Sequence, residues 1–247
     1  MKRTLCFAKR NWKELVRDPL SLFFGILFPI ILLLLLTLID RGIPEQAQMT
    51  LFQIETLAPG IGVFSMSFVA LFTAILISKD RSGSFMLRLY TSPMTGVNFI
   101  LGYLLPLLPM GLVQLAACYA AALALGLKLS VNLLLSIAVS LPILAVNIAI
   151  GAICGTCLNE KAVGGICGAL LTNLSAWLAG IWFPLELVSG LNQVAAVLPF
   201  ANAVDAARAA VKGDYAAIPG KLWIVCVWAV VLLIAAVVIF AKKMKKV

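Results

Sequence analysis

The chain has 247 residues, 63% hydrophobic and only 12% charged, with 19 Lys+Arg against 10 Asp+Glu. A soluble core of this length needs a polar coat that so few charges cannot supply, so the chain reads as a membrane protein. The formal net charge of +9 has no folded polar module to carry it as a nucleic-acid groove, and no nucleic-acid partner is expected. The absence of histidine excludes Ser-His-Asp and Cys-His catalysis, the HExxH zinc motif and His-ligated haem. No Gly-x-x-x-x-Gly-Lys-Ser/Thr string occurs, so the chain has no nucleotide-binding loop of its own.

In chain order, residues 5–18 come first, with Leu5, Ala8, Trp12, Leu15 and Val16 at helical spacing among basic residues. Such a segment lies flat among headgroups, its lysines toward anionic lipid. Both a plain juxtamembrane anchor and an elbow that moves with a cytoplasmic partner fit it. Pro19 ends it and starts the first apolar run. About 20 apolar residues cross a bilayer core, and six runs meet that length: Leu20 to Ile39, Leu57 to Ser78, Phe99 to Leu125, Val131 to Cys157, Ala162 to Phe183 and Leu222 to Ala241. Pro106, Pro109 and Pro142 lie inside spans and are expected to bend them. The first run is too long for a signal peptide and lacks a small-residue cleavage site, so it reads as a permanent span.

Fourteen of the basic residues fall on the side of the two termini and five on the other. The positive-inside rule therefore puts both termini in the cytoplasm. The loop from Lys79 to Asn98 lies on that side. Ser82 or Ser84 can cap a short helix near residues 84–91, which Pro93 ends. Phe85, Arg88 and Leu89 would project from it, either against a partner or into the lipid interface. On the other side, Pro184 to Gly220 is apolar but interrupted, and reads as re-entrant or interfacial helices, including one from Asn202 to Lys212. Asp205 and Arg208 are three apart and can pair on its outer surface.

The fold class that emerges is an all-α polytopic membrane protein. A single domain spans residues 1–247: an amphipathic segment to residue 19, a six-span bundle over 20–241, and a basic tail from 242. Its spans hold only neutral polar residues at mid-depth, namely Ser65, Ser67, Gln114, Asn147 and Asn173. Ion-coupled carriers usually keep a charge there, so a proton-driven carrier is disfavoured. An intramembrane protease is disfavoured more strongly, for want of a membrane Asp pair, a Ser with a base, or zinc ligands. Gly151-x-x-x-Gly155 and Gly164-x-x-x-Gly168 permit close helix contact. Cys154-Gly-Thr-Cys157 lacks the soluble context of a redox motif and the further ligands of a zinc site, so no metal is expected.

The chain resembles the ABC-2 type permeases, membrane subunits of bacterial ABC exporters. The residues that carry the resemblance are the amphipathic start leading to Arg17-Asp18-Pro19, the Arg81-x-Gly83 loop ending in Ser92-Pro93, the outer hairpin after span five, and Leu198-Pro199-Phe200 followed by Asp205-Ala206-Ala207-Arg208 and Gly213. Met86 and Leu87 stand where the family loop often carries a glutamate. The resemblance implies a bacterial cytoplasmic membrane and an exporter of a drug, peptide or lipid-like molecule. It implies a second permease copy and a separate ABC ATPase that holds ATP and Mg, with no cofactor bound by this chain. It gives Arg81, Gly83, Phe85, Arg88, Leu89 and Pro93 the role of coupling to that ATPase, and points to Ser65, Ser67, Asn173 and Trp177 as candidates for the substrate pathway. For those four, ordinary helix packing is the competing reading. The rival to the whole assignment is an ATP-independent channel or secondary carrier.

Overall fold

In a computed structural model, residues 2–44, 50–83, 96–188 and 190–244 are described, and among them all regular structure is helical. Helix α1 spans Lys2–Arg17. Asp18 then caps the next helix, its carboxylate accepting from the Ser21 amide at 3.0 Å and the Ser21 hydroxyl at 2.6 Å, while Pro19 occupies the first turn. Helix α2 runs from Pro19 to Gly42 through a π-helical segment at Phe23–Leu27. Helix α3, Ile54–Ser82, is interrupted by a single turn residue at Met66; α4 is Gly96–Ala124. Helix α5, Asn132–Cys157, breaks at Ser140, two residues before the Pro142 expected to bend it.

Residues 160–178 form α6, in three pieces: Glu160–Val163, a π-helical Gly164–Leu171, and Thr172–Leu178. Helix α7 is Leu191–Val197, α8 is Pro199–Lys212 and α9 is Ile218–Met244. Five helices (α2, α3, α4, α5 and α9) are long and apolar enough to cross a membrane. The fifth expected span differs: its helix stops at Leu178, short of Phe183, and Gly180 turns the chain in the left-handed region at φ 61°. Broken in this way, α6 is not among the helices long and apolar enough to cross a membrane.

Between α6 and α9, where an interrupted segment was expected, the chain forms a sharply bent pair of helices. Helices α7 and α8 meet at 80°. Asn202 holds this corner by donating to the Ala196 and Leu198 carbonyls at 2.9 and 2.7 Å, and Trp228 of α9 donates to the Val197 carbonyl at 2.8 Å. Gly213, at φ 79°, closes α8.

Helix α3 is the axis of the bundle. In its apolar window 89% of residues are buried, against 22% for α2 and for α9, so the latter two turn most of their apolar surface outward. The second half of α3 packs along α5, and small residues set the distance. A Cβ added at Gly155 would come within 2.7 Å of the Ala74 carbonyl, and one at Gly151 within 2.6 Å of the Thr73 Cβ. The Gly151-x-x-x-Gly155 pattern is thus a close helix contact. Gly164 and Gly165 meet nothing within 4 Å, so the first glycine of the second pattern makes no such contact within this chain.

Candidate functional site: the bundle end at the loop after the third helix

Helix α1 does not present the face the spacing suggested. Leu5 and Val16 are exposed, while Thr4, Phe7, Ala8, Asn11 and Leu15 are buried. The reason is polar: Asn11, fully buried, donates to the Gly102 carbonyl of α4 at 3.0 Å, and Phe7 packs edge-on to Phe99 and Tyr103 of the same helix. Leu5 and Val16 are left as an outward apolar edge beside partly buried Trp12.

The strongest electrostatic feature of this end was not anticipated. Asp80, 3% exposed near the end of α3, accepts both guanidinium nitrogens of Arg10 at 2.6 and 2.7 Å and the Tyr103 hydroxyl at 2.9 Å. A buried carboxylate is stable only with such partners. Arg10 also pairs with Glu14 at 2.9 Å, and Glu14 with Lys79 at 2.9 Å. Burial opposes the charge on Arg10, but its bond to Asp80, helped by Glu14, outweighs that and raises its pKa. In the sequence Asp80 is one acid within a basic span end, and only the fold brings Arg10 to it.

Arg81, the first expected coupling residue, donates to the Thr156 carbonyl and, at 2.6 Å, to the Leu158 carbonyl. These are carbonyls at the C-terminal end of α5, which otherwise lack helical partners. Gly83 is exposed and extended just past α3, its amide bonded to the Lys79 carbonyl at 3.2 Å. Phe85, Arg88, Leu89 and Pro93, with the short helix expected near 84–91, lie outside the described residues. The loop therefore leaves from a segment fixed on two sides, by Asp80 to α1 and α4 and by Arg81 to α5.

The four candidate pathway residues do not share one surface. Ser65 and Ser67 are buried at the Met66 irregularity, donating to the Gly62 and Phe64 carbonyls at 2.7 Å each. Ser67 lines a very small cavity with Asn147 and Ser175. Asn173 is exposed on α6 and donates to the Ala169 carbonyl at 2.7 Å; Trp177, one turn on, is 52% exposed. With Ile166, Leu170 and Leu174 they form an outward stripe at spacings of three and four.

At the opposite end the expected Asp205–Arg208 pair is not formed. Arg208 turns inward and donates to the Thr56 carbonyl at 3.1 Å and the Gly180 carbonyl at 3.3 Å; Asp205 instead pairs with Lys221 at 3.0 Å. Arg208 thus ties α8 to the start of α3 and to the turn after α6. Cys154 packs beside Cys167, Ala74 and Val163, whereas Cys157 is exposed, and all six cysteines are free.

A bundle of long apolar helices, uncharged at mid-depth and interrupted by a helix pair bent by 80°, defines a multi-pass membrane protein. Its sequence matches the family model of the ABC-2 type transporter over residues 3–211, and the chain belongs to that family. The match ends before α9. No curated protein matches the chain. It is accordingly the membrane component of an ABC transporter and not itself catalytic; members of the family generally work with an ABC ATPase.

Proposed function

We propose that the chain is the permease subunit of an ATP-binding-cassette exporter, driven by a separate ATPase that docks on the loop between α3 and α4. The observation that carries this reading is the family match across residues 3–211. The distribution of charge supports an external energy source. In the five long helices every charged residue lies near an end: Asp40 and Arg41 in α2, Glu55 and Lys79 to Arg81 in α3, Lys221, Lys242 and Lys243 in α9, and none in α4 or α5. No span therefore offers the mid-membrane carboxylate or cation on which an ion-coupled carrier depends.

In this reading ATP and Mg bind the partner, and both termini with the 79–98 loop face the cytoplasm of a bacterial cell. Force on the loop reaches the bundle through its two fixed anchors. Asp80 passes it to α1 through Arg10 and to α4 through Tyr103, and Arg81 passes it to the end of α5. The linked segments move together because buried, hydrogen-bonded contacts switch between discrete packings and do not stretch. A second permease copy packs against the outward stripe of α6, where Asn173 and Trp177 border the pathway for a drug, peptide or lipid-like cargo. The small exposed residues Gly165 and Ala169 on that stripe allow close helix approach.

The test is a mild-detergent pull-down of the tagged chain from its own membranes, with partners identified by mass spectrometry. A stoichiometric P-loop ATPase is expected, and Phe85→Asp or Arg88→Glu is expected to release it while leaving membrane insertion unchanged. Recovery of the chain without an ATPase, under conditions that keep another membrane complex intact, would favour an ATP-independent channel or carrier.

A further inference from the structure

We propose that the chain carries a site for an anionic phospholipid of the bilayer, at the end of the bundle where α1 passes into α2. A cavity of about 1100 Å³ opens there between α1, the first turn of α2, residues 72–79 of α3 and the start of α6. Two independent features of its walls define the occupant.

The first is an uncompensated row of cations. Lys9, Lys13 and Arg17 recur every fourth residue on α1, are exposed, and line the cavity. Like charges so spaced repel and weaken a helix unless an anion sits among them. Among the described residues none of the three has an ion-pair partner. The acids that share the cavity are engaged elsewhere: Glu14 with Arg10 and Lys79, Asp18 with the Ser21 cap, while Glu160 acts on Lys79.

The second is the floor, which is apolar. It is made by Phe72, Ile75 and Leu76 of α3 and by Leu20 of α2. From Leu20 the apolar surface continues outward over exposed Leu22 and Phe23. A free phosphate would satisfy the cations and leave this floor bare; a neutral amphiphile would cover the floor and leave the cations unmatched. An anionic headgroup with acyl chains does both, and the open path along α2 lets the chains merge with the bilayer. Basic pockets between membrane helices hold anionic headgroups by this combination. The inference requires only that the chain sits in a bilayer, so it stands or falls separately from the exporter reading.

The experiment reconstitutes the full chain in nanodiscs with equal phosphatidylglycerol and phosphatidylcholine and reads the lipid retained by native mass spectrometry. Preferential retention of phosphatidylglycerol is expected, falling about fivefold for each cation removed in Lys9→Gln, Lys13→Gln and Arg17→Gln. Lys128→Gln and Lys212→Gln, at the other end of the bundle, should leave it unchanged. Because the three side chains are exposed and form no ion pair within the chain, each single variant is expected to fold, and the single variants give the same answer if the triple variant does not. Equal retention of the two lipids, or retention indifferent to the three substitutions, would overturn the proposal. Displacement of the lipid by soluble glycerol phosphate at equal concentration would overturn it too, because it would reveal an anion site without chains.

Discussion

Arg10 and Asp80 show how much a single buried charge depends on one partner. With Arg10→Met, Asp80 keeps only the Tyr103 hydroxyl of the bonds it now has, 2.9 Å away, in a site 3% exposed. Stranding one member of a buried ion pair costs about 3–5 kcal/mol, and the part of Arg10 that remains in water brings the expected loss to about 2 kcal/mol. Thermal melting in detergent checks it. Adding Asp80→Leu to Arg10→Met should restore most of the loss, because no charge is then left buried. A double variant as unstable as the single would mean that Arg10 acts through packing alone. The raised pKa of Arg10, set by its bond to Asp80 and helped by Glu14, keeps the guanidinium charged, so the cationic side of the pair is lost only in strongly alkaline solution. Arg208 differs from Arg10 in being held by carbonyls and not a carboxylate. The i,i+3 spacing with Asp205 suggested a pair, but Lys221 reaches that acid and the backbone captures the guanidinium.

Helix contacts divide the glycines into two kinds. Gly151 and Gly155 sit where α5 lies against α3, with no room for a Cβ, whereas Gly165 faces open space. Gly151→Val should therefore lower the melting point by an amount equivalent to about 1–3 kcal/mol, the usual cost of overpacking. Gly165→Val should leave the melting point of the isolated chain unchanged and weaken self-association, read by cross-linking in membranes, if the α6 stripe meets a second copy. A loss of stability at Gly165 with self-association intact would move the copy-to-copy contact elsewhere. Both glycine patterns look alike in the sequence, because a small-residue spacing marks a possible contact without naming the partner helix. The amphipathic α1 carries a similar ambiguity: its apolar residues occupy more than one face, and buried Asn11 with the Arg10–Asp80 pair chose which face turns inward.

For the whole molecule, fourteen basic residues on the side of the termini against five on the other make a topological prediction. In a variant lacking the native cysteines, Lys243→Cys should be labelled only from the cytoplasmic face and Lys128→Cys only from the outer face. Labelling of both from one face would remove the six-crossing arrangement, including the crossing assigned to α6.

Composition and hydropathy alone were enough for the class of the molecule, the number of long apolar helices to within one, the breaks near Pro142 and after Lys212, and the interrupted segment before the last helix. Those features follow from hydropathy, from proline and from glycine, which act locally and are readable without a partner. The sequence also pointed to Arg81 and Gly83 at the exit of the third helix, though not to what Arg81 holds. Which charges meet depended on packing: Arg10 with Asp80 across seventy residues, Arg208 with the Thr56 and Gly180 carbonyls, and Glu14 with Arg10 and Lys79 in the cavity that Lys9, Lys13 and Arg17 also line. The physical reason is range. A helix or a turn is specified by neighbours within a few residues, whereas an ion pair in a low-dielectric interior is set by whichever distant groups the packing brings within about 4 Å.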